Sequence, residues 1–161
     1  SAHVNRTTIT IVLILVLLTG AGLWWFGFGG NTTHGGTDID NAAFVERGKT
    51  LYAQECAACH GKNREGQTPA WRRPLANGSF PAPPHDATGH TWHHADSLLF
   101  EITKYGRLQA SPKRSQSNMP AFGEKFSDED IWAVLTYIKS QWPATIRERH
   151  KAVNRQHRGA R

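Results

Sequence analysis

The sequence predicts an all-α domain carried behind a single N-terminal transmembrane helix. Three observations predict it: one uncharged apolar run near the N-terminus, later segments whose apolar residues recur at helical spacing, and the caps and stops that bound those segments. A chain of 161 residues allows one modest domain plus appendages. The divisions that follow are a membrane anchor over 1–30, a linker over 31–39, a folded domain over 40–143 and a basic tail over 144–161.

The anchor is Ile9 to Gly30, which runs for 22 residues without a formal charge. As a helix rising ~1.5 Å per residue it would measure ~33 Å, enough for a hydrocarbon core of ~30 Å. Trp24, Trp25, Phe26 and Phe28 gather at its far end, as an interfacial aromatic belt does. A cleaved secretory signal is the rival reading, since Thr19-Gly20-Ala21-Gly22 offers small residues to a peptidase. The apolar run continues past them, which favours an uncleaved anchor. Arg6 precedes the span, Asp38 and Asp40 follow it, and no Lys or Arg appears until Arg47. The positive-inside rule therefore puts the N-terminus in the cytoplasm and the domain across the membrane. The polar, glycine-bearing linker Asn31 to Ile39 spans at most ~30 Å and keeps the domain near that surface.

Asp40 is the expected N-cap of the first helix, which runs through AAFVERGKTLYAQ with Phe44, Val45, Leu51 and Tyr52 on a rough apolar face. Gly48 costs such a helix ~1 kcal/mol relative to Ala, so its presence predicts a close helix contact. A middle helix spans Asp96 to Tyr105, with Gly106 placed as its C-terminal cap. Ser127-Asp128-Glu129-Asp130 opens the last helix, whose Ile131, Val134, Leu135 and Ile138 fall at i, i+3, i+4 and i+7. Its acids lie in the first turn and Lys139 in the last, the favourable sense for the helix dipole, and Pro143 stops it.

The chemistry sits in Cys56-Ala57-Ala58-Cys59-His60, which holds the chain's two cysteines. This is the spacing that attaches a c-type haem. Two thiols add across the two vinyl groups of one porphyrin, and the next residue places an imidazole under the iron. A redox dithiol would want a thioredoxin-like alternation of strands and helices, which is absent. A closed zinc site would need two more ligands at suitable spacing, and no second C-x-x-C or H-x3-5-H pair follows closely. A disulfide between residues three apart closes too small a loop to constrain much chain.

A haem held by His60 needs a soft or nitrogen ligand on its other face. Met119 is the chain's one methionine, 59 residues after His60, and is followed by Pro120. A lone Met is usually core filler. In this setting it is the expected axial ligand, with a histidine as the alternative; Met/His ligation raises the potential and favours electron transfer over oxygen chemistry. That alternative comes from Phe80 to His94, where His85, His90, His93 and His94 crowd a proline-rich segment. Clustered imidazoles could take a second metal such as copper, but without regular ligand spacing the favoured reading is a stiff loop bonding backbone or haem propionates. Trp71, Arg72, Arg73 and Trp92 are the donors of the right type for those propionates, with Trp71, Arg72 and Trp92 expected to touch the cofactor.

The formal charge of +6 would suit nucleic acid, but its distribution does not. From Pro143 onward Arg147, Arg149, Lys151, Arg155, Arg158 and Arg161 face one acid, Glu148, so this tail supplies +5 and the rest of the chain is nearly neutral. Three readings of the tail stay open: steering of an acidic redox partner, contact with anionic lipid, or a disordered solubilising end. Nucleic-acid binding is excluded for a segment placed across a membrane.

A helix with a glycine and an aromatic just before C-x-x-C-H-G, a distant Met-Pro and a terminal helix with an aromatic together resemble a class I cytochrome c. Here those are Gly48, Tyr52, Cys56 to Gly61, Met119-Pro120 and Trp132 or Tyr137, within about Asp40 to Trp142. The resemblance implies the class I cytochrome c fold, N- and C-terminal helices crossing near the glycine, and one covalently attached haem c with its iron. It also implies attachment in a non-cytoplasmic compartment, hence a haem domain on the periplasmic side of a bacterial inner membrane. The expected function is single-electron transfer between redox partners without substrate turnover. The alternative is a stationary subunit of a larger respiratory or photosynthetic membrane complex.

Overall fold

Residues 35–106 and 118–159 are described by the structure, a computed structural model. The expected span Ile9 to Gly30 and the first part of the linker lie outside them. Among the described residues there is no strand, and no helix is long and apolar enough to cross a membrane. The architecture is all-helical, as the periodicity predicts.

Helix α1 (Ala42–Leu51) starts one residue later than expected. Asn41, not Asp40, is its cap: Asn41 Oδ1 accepts from the Phe44 N–H at 3.1 Å, while the Asp40 N–H is taken by Asp38 Oδ1 at 3.3 Å. Asn41 is the last residue with extended backbone, φ −85° and ψ 97°, so its side chain meets the orphan donors of the first turn. The helix also ends earlier than Gln54. Tyr52–Cys56 is a π-helical turn, in which the Ala57 N–H reaches back to the Tyr52 carbonyl, and a short helix α2 (Ala57–His60) follows. The widened turn absorbs one extra residue, a device that recurs at functional sites. Here it follows the helix that packs and ends on Cys56, the first of the residues expected to carry the cofactor.

Helix α4 (Asp128–Ser140) packs against α1. A Cβ at Gly48 would lie 1.9 Å from the Ala133 carbonyl oxygen and 2.9 Å from Tyr137 Cβ, so the expected close contact is a backbone-to-backbone crossing that only glycine permits. Ile131, Val134, Leu135 and Ile138 are buried along α4 and join Tyr52, Leu99, Phe122 and Phe126 in one core. Ser127 and Asp130 form a reciprocal capping box. Arg47 reaches from α1 to Asp130 at 2.8 Å and Glu129 at 3.3 Å.

Helix α3 (Asp96–Tyr105) ends as expected at Gly106, left-handed at φ 73°. The linker's described half is not free: the Asp38 N–H bonds Thr136 Oγ1 at 3.1 Å, and Lys139 Nζ donates to Thr37 Oγ1 at 2.6 Å. Trp142 is buried beyond the end of α4, and Pro143 both stops that helix and opens another through its carbonyl, which accepts from the Ile146 and Arg147 amides. The basic tail is therefore not a disordered end. It is helix α5 (Ala144–Gly159), with Ile146 and His150 buried on one face and Arg149, Lys151, Arg155 and Arg158 exposed.

Candidate functional site

The segment from Phe80 to His94 has little regular structure beyond one 3-10 turn at Thr91–His93. Pro81, Pro83 and Pro84 have no N–H to give a helix or sheet, so its carbonyls need donors from elsewhere. Side chains supply them. The Pro83 carbonyl bonds His60 Nδ1 at 2.8 Å, Pro84 accepts from Thr91 Oγ1 at 3.3 Å, His85 accepts from Trp142 Nε1 at 2.8 Å, and His94 bonds His150 Nε2 at 3.0 Å.

The first of these bonds defines the site. His60 is buried at the end of α2, and the Pro83 carbonyl takes its Nδ1–H, which fixes the tautomer and leaves Nε2 with its lone pair free to bind a metal. Burial holds the imidazole below its usual basicity, against the weaker opposing pull of that carbonyl, so it is neutral, as a ligand must be. Tyr52, at the start of the π turn, donates from its hydroxyl to the Gly61 carbonyl at 2.9 Å and pins the residue after His60. His85 stacks on His60 with ring centroids 3.9 Å apart, and burial, followed by His60, pushes it well below the ordinary histidine value. Cys56 is half-buried against the core and Cys59 is exposed. Burial and Glu55 push the Cys56 thiol up to about 12, so it stays protonated until it reacts.

Met119 is half-buried and packs on the same core cluster as Cys56 and Trp92. Its loop is tied to the end of α3: the Phe122 N–H bonds the Thr103 carbonyl at 3.1 Å and the Gly123 N–H bonds that of Lys104 at 2.9 Å. A Cβ at Gly106 would lie 2.7 Å from the Met119 carbonyl, so the glycine that caps α3 also lets the Met119 backbone approach.

Trp71 and Arg72 come together with Phe80, Pro81, Pro83 and His90 around a cavity of about 370 Å³. Arg72 lies 4.0 Å over the Trp71 ring, and His90 stacks on Trp71 at 4.8 Å with the rings 8° from parallel. Trp92 is not among the cavity's lining. It stacks on His93 at 3.6 Å, with its indole Nε1 buried and without a hydrogen-bond partner. Buried polar atoms are rarely left so. His90 Nδ1 is in the same condition. Phe80 and Pro83 are not expected at the site from the sequence beyond their place in the proline-rich segment, whereas His90 is one of the histidines expected to bond backbone or haem propionates. Among the described residues no group of three or more His, Cys, Asp or Glu is placed to hold a metal ion, and the segment's histidines are engaged with Thr91, Trp71, Trp92 and one another.

The family model described as Cytochrome c matches residues 45–142. Over 99 residues the chain is 31% identical to a Cbb3-type cytochrome c oxidase subunit CcoP of Azospirillum brasilense, covering 61% of this chain and 28% of that protein. Over 97 residues it is 30% identical to a thiosulfate dehydrogenase of Stutzerimonas stutzeri (strain A1501), covering 60% of this chain and 27% of the relative. The chain thus spans little more than a quarter of the length of these curated relatives. No solved structure matches it.

The residues present fit a covalently held haem c on two counts. A metal-ready His60 follows the two cysteines, and the orphaned Nε1 of Trp92 and Nδ1 of His90 are buried donors or acceptors awaiting a polar partner that the protein itself does not provide.

Proposed function

The chain belongs to the cytochrome c family and carries haem c linked through Cys56 and Cys59; from that premise we propose that it is a membrane-tethered monohaem electron carrier. In this reading the haem domain stands on the periplasmic side of a bacterial inner membrane and passes single electrons between redox proteins without turning over a substrate. Ile9 to Gly30 is the tether.

One observation carries the reading: His60 Nδ1 is committed to the Pro83 carbonyl, which turns Nε2 into a fixed, neutral ligand directly after the attachment cysteines. The haem bound there supplies a one-electron couple. His60 and Met119 are the residues that would hold its iron, and ligation by both would favour electron transfer over chemistry on bound oxygen. Cys56 and Cys59 would fix the ring, the Pro83 carbonyl keeps His60 oriented, and Trp71, Arg72 and Trp92 would be the donors for the carboxylate edge. The exposed cations of α5 give the domain a positive face that suits an acidic partner.

The test is spectroscopic. Matured with haem, the ferric protein should show the Met-to-iron charge-transfer band and bind cyanide slowly. Met119→Ala should lose that band, gain rapid cyanide binding and lower the midpoint potential. A wild-type protein that lacks the band and binds cyanide at once sinks the carrier reading. A second reading, a stationary subunit of a larger complex, is favoured by the relative named as an oxidase subunit. Co-migration with an integral-membrane complex in mild detergent at high salt would select it over the free carrier.

A further inference from the structure

We propose that His90 couples electron transfer to a proton: its Nδ1 hydrogen-bonds the carboxylate edge of the haem, and its imidazole takes up a proton from solvent as the iron takes up an electron. The proposal rests on haem c being held at Cys56, Cys59 and His60, and adds to that reading a residue that contacts the cofactor.

Three observations place it. His90 lines the 370 Å³ cavity together with Pro83, the residue whose carbonyl orients His60. Its ring is held parallel to Trp71, so its direction is fixed. Its Nδ1 is buried with no hydrogen-bond partner, whereas His85 Nδ1 in the same segment is bonded to Thr91 Oγ1 at 2.7 Å. A buried, oriented ring nitrogen in a cavity flanked by Arg72 suits an anionic oxygen. Haem c brings carboxylates to such a place.

The coupling follows from charge. Burial makes the protonated form of His90 costly, and His94, His93 and Arg72, the charged or titratable groups facing it, push the same way. A haem carboxylate at Nδ1 would pull in the opposite direction, toward the protonated form. Reduction of iron(III) to iron(II) lowers the local charge by one, so the imidazolium is more stable beside the reduced haem. The electron comes from the redox partner and the proton from water, and no covalent bond changes. The midpoint potential must then fall as pH rises.

Spectroelectrochemical titration of the haem-loaded full chain between about pH 5 and pH 8 tests this. The wild type should show a falling potential, its slope bounded by ~59 mV for each tenfold change in proton activity. His90→Asn keeps a donor for the carboxylate but cannot titrate, and should flatten the slope with haem content and charge-transfer band unchanged. His90→Gln serves the same purpose if the Asn variant fails to assemble. His93→Asn should keep the wild-type slope. A flat wild-type profile, or a slope that survives in His90→Asn or His90→Gln, overturns the proposal. Absence of attached haem, or of the methionine band, would instead count against the carrier reading and is seen separately in the same spectra.

Discussion

The α1–α4 pair and the segment from Phe80 to His94 are held together by opposite means. The helix pair relies on burial and close approach: Gly48 lies against Ala133, Tyr52 packs on Tyr137 with centroids 5.4 Å apart, and Ile131 and Val134 are shut off from solvent. The segment relies on single polar contacts, four of its carbonyls each answered by a side chain from elsewhere in the domain or from the segment itself. Burial is additive and tolerant, because many contacts share the energy. A carbonyl with one donor is not, since losing that donor leaves a buried acceptor unpaired. The tolerant region therefore carries the fold and the exacting one carries the site.

The largest effect should come from breaking the first region at its narrowest point. Gly48→Val puts side-chain atoms where the Ala133 carbonyl already stands, 1.9 Å from an added Cβ. Neither backbone can yield without opening the core, so a loss of about 3 kcal/mol or more is expected. Leu135→Met, on α4 in the same core but conserving volume, should cost less than about 1.5 kcal/mol. Guanidinium denaturation of the haem-loaded protein reads both, and a Gly48→Val midpoint equal to that of Leu135→Met would refute the close crossing.

The second region is broken through its donors. Trp142→Phe keeps an aromatic ring in a fully buried site but removes the N–H that the His85 carbonyl accepts at 2.8 Å. The expected cost is about 1–2 kcal/mol, from the lost bond and the unpaired acceptor. Its location matters more than its size. Amide exchange should quicken between His85 and His94 while α1 and α4 keep their protection. Uniform acceleration across all helices would mean that the segment is not held separately.

This contrast also explains what was legible in the sequence. Gly48, the Ser127 cap, Gly106 and the apolar spacing of α4 were readable because each expresses a local or periodic rule. Asn41 rather than Asp40 is the cap because the first intrahelical bond runs from the Val45 N–H to the Asn41 carbonyl at 3.0 Å, a register only the three-dimensional path supplies. The π turn after Leu51 left no compositional mark. The His60–Pro83 bond joins a side chain to a carbonyl 23 residues away, and every residue has a carbonyl, so no residue type announces it. Helix α5 was different: Ile146, His150 and Asn154 stand at i, i+4 and i+8, a stripe of two buried residues and one half-buried one hidden by the surrounding charge. The cysteines and His60 are legible outright, and Trp71 and Arg72 of the cavity wall by residue type; Phe80, Pro81 and Pro83, whose part is shape and a backbone carbonyl, are not.

The smallest effect sharpens the comparison through pH, because α5 is joined to the segment by a histidine. His150 is 1% exposed and bonds the His94 carbonyl through Nε2, which also lies 3.6 Å from Asp96 Oδ1, while Asn154 Nδ2 stands 3.4 Å from its Nδ1. Asn154 Oδ1 already accepts from the Asp96 N–H at 2.8 Å, so its amide nitrogen must face His150, and Nδ1 must act as an acceptor. A proton there would set two donors against each other. Burial accordingly lowers the basicity of His150 despite the attraction of Asp96, with Lys139 adding to the lowering. The unfolded chain, with histidine near ~6.5, then binds the proton first. Stability from this group is complete above that pH and is lost as pH falls below it toward the lower folded value. His150→Gln should cost about 1 kcal/mol near neutrality and make stability decline less steeply between pH ~6.5 and ~5. The remaining decline is shared by His60, His85, His90 and His94, which burial lowers in the same direction. An unchanged slope in His150→Gln would show that α5 does not report protonation to the segment.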